Sequence, residues 1–333
     1  MSKTTKKRLI NLEKYIQNKW AEYYWNFLMK YEDKPWNWDY ISRNQNITIE
    51  MIEKYPDKPW DWGWISGNTN ITIEIIDKYP DKPWQWSCIS SNPNITMEII
   101  EKYPDKPWDW HDISENPNIT MEFIEKYPDK PWNRYLISCN PNITMKIIEE
   151  YPDKPWNWIS ISHNPNLTME FIEKYPDKPW NWNYISRNPN ITMETIEKYS
   201  DKPWDWFHGI SRNSNLTMEI IEKYPYKPWD WYYISMSPNI TLETIEKYPD
   251  KPWNWYGISK NPNLTMEFIE EYIYKSWNWG NISRNPFTKE KELFYQKHYQ
   301  IYLATFRLQQ YFNRMYDNPK YLFCRTRLEK LFS

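Results

Sequence analysis

A tryptophan preceded by Lys-Pro recurs along this chain at Trp36, Trp60, Trp84, Trp108, Trp132, Trp156, Trp180, Trp204, Trp229 and Trp253, and Trp277 follows Lys275-Ser276. The interval is 24 residues at every step except Trp204 to Trp229, where it is 25. A fixed period of this length is the mark of stacked repeats, each too small to bury its own apolar face and each covered by its neighbours. Eleven copies occupy residues 33–286, with flanking segments 1–32 and 287–333. The extra residue lies in Phe207-His208-Gly209 and reads as a local insertion.

One copy runs Asn94-Ile95-Thr96-Met97-Glu98-Ile99-Ile100-Glu101-Lys102-Tyr103-Pro104-Asp105-Lys106-Pro107-Trp108-Asp109-Trp110, then two variable residues, then Ile113-Ser114. Thr96 is placed to cap the free amides of a helix. Ile95 and Ile100 hold the two positions of a hydrophobic staple, and Glu98 stands four residues before Lys102 in the favourable order. Pro104 ends this short amphipathic helix. Asp105 and Pro107 predict the start of a second helix, ending near Asn116-Pro117 with the asparagine as a left-handed C-cap. The alternation of Trp60, Trp62 and Trp64 suggests a strand, but the common pattern Trp-x-Trp-x-x-Ile breaks period two. The fold class predicted is all-α, an α-solenoid of about eleven 24-residue helix-turn-helix repeats. Stacked in line at about 8 to 10 Å per helix layer, it would be a rod or superhelix on the order of 100 Å long.

The flanks read as helical caps for the two ends. Residues 1–32 carry Leu12, Ile16, Trp20, Tyr24, Phe27 and Leu28; Thr288 is placed to start a long helix through Phe294 and Tyr311 that Asp317-Asn318-Pro319 breaks, followed by a basic amphipathic tail, Tyr321 to Phe332. Charge is uneven. Residues 1–32 hold 7 Lys or Arg against 3 acids and 287–333 hold 9 against 4, while the chain as a whole is at −2, so the repeats are acidic. An acidic array is a poor wrapper for phosphate backbones. Cys88, Cys139 and Cys324 are odd in number and widely separated, which supports neither a disulfide framework nor a zinc knuckle. The basic start lacks the apolar run of a secretory signal, and no stretch of 18 apolar residues occurs, so the expectation is an intracellular protein, in host cytoplasm or a virion, with no membrane span.

The tandem unit Tyr-Pro-Asp-Lys-Pro-Trp-x-Trp, Ile-Ser-x-Asn-Pro-Asn-(Ile/Leu)-Thr-Met-Glu resembles that of the Trp-rich repeat proteins encoded in multiple copies by giant DNA viruses of amoebae, and Asp317 to Leu328 is similar to their C-terminal tails. The resemblance implies an origin and carries no catalytic residues. Departures from the unit include Arg134 for the second tryptophan, Ser200 for the first proline, Tyr226 and Tyr274 for aspartate, and Ser276 for the second proline.

Enzymatic chemistry has no motif here. His111, His163, His208 and His298 fall at no metal-ligand spacing, five glycines make no phosphate loop, and carboxylates recurring in every layer read as structural. No cofactor or metal is expected. The Asn-x-Thr/Ser sequons, Asn46 through Asn281, also read as structural, because the threonine is accounted for as a cap.

The informative positions are those that vary between copies: the two before Ile-Ser and the one after it. Stacking would align them into one strip, rich in the residue types that dominate interfaces. Its candidate partner-binding residues are Tyr40, Arg43, Trp64, Tyr184, Arg187, Arg212, Tyr232, Tyr233, Tyr256 and Lys260. The function this suggests is a non-enzymatic scaffold that binds a host or viral protein. Alternatives are a reader of single-stranded nucleic acid, one base per layer, and a structural component of a virion.

Overall fold

The computed structural model describes residues 3–316, and every regular element among them is helical. It divides into two units, the repeats from Trp25 to Phe287 and a second unit formed by residues up to Tyr24 with those from Thr288.

Each repeat is two short helices. In the fourth, Met97–Lys102 is capped by Thr96, whose side chain accepts from the Ile99 amide. Tyr103, pushed out of helical geometry before Pro104, takes φ −122° and ψ 60°. The chain then turns, and the indole of Trp108 donates to the Tyr103 carbonyl at 2.8 Å. The same indole-to-carbonyl bond is made in all eleven copies, which explains why the first tryptophan is invariant within the chain.

The second helix starts later than the sequence suggested. Asp105 to Trp108 is a turn, held by Lys106 N–H to Tyr103 O and Trp108 N–H to Lys106 O. Asp109 is the cap of Trp110–Ile113, its carboxylate accepting from the amides of His111 and Asp112. The asparagine read as a left-handed C-cap is not one either. Where it caps, at Asn44, Asn140, Asn188, Asn213 and Asn285, φ lies between −68° and −62°. Glu98 and Lys102 do not form the pair expected of them: the carboxylate is stabilised by the Thr96 hydroxyl and its own backbone, which lower its pKa, and the ammonium lies 5.0 Å from the Tyr103 ring.

Asparagine and serine are instead the clasps between copies. Asn116 donates through Nδ2 to the carbonyls of Ser90, Asn92 and Ile95 in the preceding copy, while its Oδ1 accepts from the Asn118 amide. Asn118 then donates to Pro93 O and Ile95 O. Buried Ser90 accepts on its hydroxyl from the Asp109 amide at 2.9 Å. Aromatic contacts add a second tier. Trp132 packs edge-on against Trp110 at 5.1 Å, and Lys130 covers the Trp110 ring at 4.8 Å. The 25-residue copy keeps these clasps: Asp205 N–H still reaches Ser186 and Asn213 still reaches Ser186 O and Asn188 O. Its second helix shortens to the single 3-10 turn Ile210–Arg212.

The first helix of the first copy is the end of the long helix Lys3–Lys30, with Trp25 stacked on Tyr55 at 4.1 Å. This copy sits on the last as every other copy sits on its predecessor. Asn37 N–H donates to Ser283 Oγ at 3.0 Å, Asn44 Nδ2 to Ser283 O and Asn285 O, and Asn46 Nδ2 to Pro286 O. Trp36 meets Trp279 edge-on at 4.9 Å under Lys34. Lys30 pairs with Glu270 at 2.7 Å, as Lys126 pairs with Glu101. The solenoid is therefore a closed ring, not the linear stack expected. Counting this junction, the amide-to-serine bond is made eleven times. Eleven equal steps turn the chain by about 33° each, and the array has no free end face for a cap to cover.

In the second unit the N-terminal helix runs antiparallel to Thr288–Tyr316: Tyr23 donates to Glu290, Trp20 meets Phe294 at 5.3 Å, and Tyr299 donates to Glu13. The predicted break at Asp317-Asn318-Pro319 and the basic tail lie outside the described residues. No helix among the described residues is long and apolar enough to cross a membrane.

Candidate binding surface

Among the described elements, the helices of neighbouring copies that approach closely are the second helices, and no first helix comes as near to the next. In a closed ring the shorter circumference is the inner one, so the second helices form the inner wall, roughly 30 Å across between axes at about 9 Å spacing. On each, Ile and Ser are buried against the copy and its neighbour. The variable positions stand on the opposite side of the turn and face the inside of the ring.

There the strip is continuous, and it is built by contacts between copies. Arg43 lies over the Trp64 ring at 5.6 Å, and Tyr40 meets Trp64 edge-on. Arg212 lies over Tyr233 at 4.1 Å. Lys260 donates to the Tyr232 hydroxyl at 2.7 Å and sits 5.4 Å from both the Tyr232 and the Tyr256 rings. Arg187 lies over Tyr184, which stacks on His163 at 5.2 Å. Arg284 of the last copy covers Tyr40 of the first at 5.7 Å. Closure thus joins the two ends of the strip. All ten predicted residues fall in one arc, from the seventh copy through the eleventh into the first and second.

The concave face also lets side chains reach across a whole copy. Tyr135 of the fifth copy lies near Tyr184 of the seventh, whose hydroxyl is the main cause of its raised pKa. Burial lowers the pKa of the His163 imidazole, with the cations Arg187 and Arg212 adding to the effect.

The arc is short of negative charge. The variable positions of the ring hold Arg43, Arg187, Arg212, Lys260 and Arg284 against Asp39, Asp112 and Glu115, so the acids of the array belong to the other positions of the repeat. Arg187 is the most strained of the cations. Its guanidinium donates to Asn183, which donates in turn to Asp205, yet Nε is buried with no partner. Burial lowers its pKa, and the neighbouring Arg212 cation does so further. An anion placed between the two guanidiniums would relieve the repulsion.

Sequence reasoning passed over Arg284, His163 and Tyr135 as site residues. Arg284 occupies the same register position as Arg43 and Arg187, but at the apparent end of a rod it had nothing to face. Asn183 stands at one of the variable positions before Ile-Ser but was not among the candidate residues, because its type gave no reason to single it out. The sequon asparagines have a structural role: the Nδ2 atoms of Asn70, Asn94 and Asn118 are each hydrogen-bonded to the preceding copy.

Among the described residues, one cluster could offer metal ligands. Asp109, His111 and Asp112 bring three ligand atoms within 4.8 Å of one another, but the Asp109 carboxylate is already the cap of its helix and the His111 ring nitrogens lie against Asp112 and Asn133. No family model, curated protein or solved structure matches this chain.

Proposed function

We propose that the ring is a non-enzymatic binding module, on its sequence resemblance a viral one, whose inner arc captures an acidic segment of a host or viral protein. The observation that carries this reading is the contiguous arc of aromatic and cationic side chains, with the buried, unpartnered Nε of Arg187 beside Arg212. Carboxylates of the bound segment pair with the guanidiniums, and its apolar side chains lie on Tyr184, Tyr232, Tyr233, Tyr256, Tyr40 and Trp64.

Fluorescence anisotropy with a labelled peptide of alternating Glu and Trp, against labelled oligo(dT), tests it. The peptide should bind the whole chain, and Arg187→Gln/Arg212→Gln should weaken it by about tenfold or more while the melting temperature stays within a degree or two. Preferential binding of oligo(dT), with a steep loss on added salt, would replace the reading with that of a single-strand nucleic-acid binder. A peptide bound equally well by the double variant would leave the arc without a role.

A further inference from the structure

In the fifth repeat the tryptophan that opens the second helix elsewhere is Arg134. The fourth repeat shows what that tryptophan normally does. Trp110 lies parallel to Phe123 at 6.1 Å, takes the edge of Trp132 at 5.1 Å, and is covered by Lys130. The corresponding partners for the fifth repeat, Trp156 and Lys154, are in place but have no indole to hold. Lys154 pairs with Glu125, as Lys106 pairs with Asp77 in the repeat that keeps Trp86.

A cleft of about 400 Å³ lies between the fifth and sixth repeats. Its floor is Met121, Ile124 and Ile137, its walls are Trp132 and Trp156, and Arg134, Lys130 and Lys154 line it as well. A groove of about 470 Å³ between the second and third repeats includes Trp62 itself in its lining and not Ile65 beneath it. In the fifth repeat the seal is missing. Ile137 is 6% exposed, where its ten counterparts are at 0 or 1%. Ile124, at 8%, is likewise the most open at its position.

We propose that this cleft is a ligand site for a planar aromatic group bearing a carboxylate. The ring occupies the place an indole holds in the other ten copies, between Trp156 and the floor of Ile137 and Ile124. The carboxylate meets Arg134, which has no ion-pair partner among the described residues, with Lys130 nearby. Glu125, the acid beside the cleft, is already neutralised by Lys154 and so does not repel the ligand. The site lies outside the arc described above and stands or falls independently of it.

Indole-3-propionate titrated into the full chain, followed by calorimetry and by saturation transfer to the ligand, tests the assignment. Binding with a dissociation constant of about 0.1 to 1 mM is expected for a ligand of this size. Arg134→Trp should restore the common repeat, fold normally, and weaken binding at least about tenfold. Arg134→Gln should weaken the acid several-fold and leave the neutral indole-3-propionamide unchanged, which separates recognition of the carboxylate from mere cleft filling. Competition by a peptide ending in tryptophan would identify a chain terminus as the source of the group; no competition would identify a free aryl acid. Absence of binding to the native chain at several times the upper constant, or equal binding to Arg134→Trp, would overturn the proposal.

Discussion

At the scale of the residue, the junctions depend on small polar groups placed where water cannot reach. Ser114 is fully buried, donates to the Trp110 carbonyl and accepts from the Asn133 amide. Removing the hydroxyl strands the Asn133 N–H, while the Trp110 carbonyl keeps the Ser114 amide, and a stranded donor of this kind costs roughly 1 to 3 kcal/mol. Ser114→Ala should therefore lower stability by about that amount in urea unfolding, although it removes a single oxygen and leaves no sizeable cavity. A loss below about 0.5 kcal/mol would mean that water replaces the hydroxyl. The tryptophans were legible from the sequence as packing residues, half-buried between copies, and Thr96 as a cap. The serine and asparagine were not, because Ile-Ser-x-Asn-Pro-Asn has the composition of a turn, and nothing in a single sequence says that its amides are satisfied one copy back.

At the scale of the element, the ring tolerates one odd copy and one tight approach. The insertion before Ile210 is absorbed within one helix, as expected, because the clasps are made by residues on either side of it. Gly257 marks a tight approach. The second helices of the ninth and tenth copies pack closely here: a Cβ at 257 would stand 2.4 Å from the Tyr232 carbonyl and 3.0 Å from Ser235 Cβ. Gly280, one turn-position away in the eleventh copy, has its nearest neighbours at 3.4 and 4.0 Å. Gly257→Ala should thus cost about 1 to 3 kcal/mol through backbone displacement. Gly280→Ala should be neutral or gain up to about 1 kcal/mol from helix propensity. Thermal melts of the two variants compare the effects directly, and similar melting temperatures would contradict the close packing. The late start of the second helix belongs to this scale too. Asp105 and Asp109 are equally good caps by residue type, and the choice is made by the Trp108 indole, which closes the turn between them.

At the scale of the whole repeat unit, closure was the property least legible in the sequence. Every junction uses the same residues, so a chain that spirals and a chain that closes look alike letter by letter; what separates them is the turn per copy, a packing angle that no residue encodes by itself. Two features are consistent with closure in retrospect: Arg284 finds its aromatic partner in the first copy, and Lys34 finds its tryptophan in the last. The geometry gives a direct measurement. A Cβ built on Gly280 lies 4.0 Å from the Cβ of Asn37, inside the span of a disulfide of about 3.5 to 4.5 Å. Asn37 gives up only its side-chain cap to Tyr40 on substitution, while its backbone bond to Ser283 is independent of side chain. In a chain with Cys88, Cys139 and Cys324 changed to Ser, Asn37→Cys/Gly280→Cys should oxidise to an intramolecular disulfide in high yield at low protein concentration, seen as a 2 Da mass loss and a faster band on non-reducing gels. Moving one cysteine to position 133, equivalent in register but in the fifth copy, should abolish the bridge. In an open stack residues 37 and 280 would be separated by most of the length of the array, so a native chain that forms no bridge at 37 and 280 would show that the ring does not close.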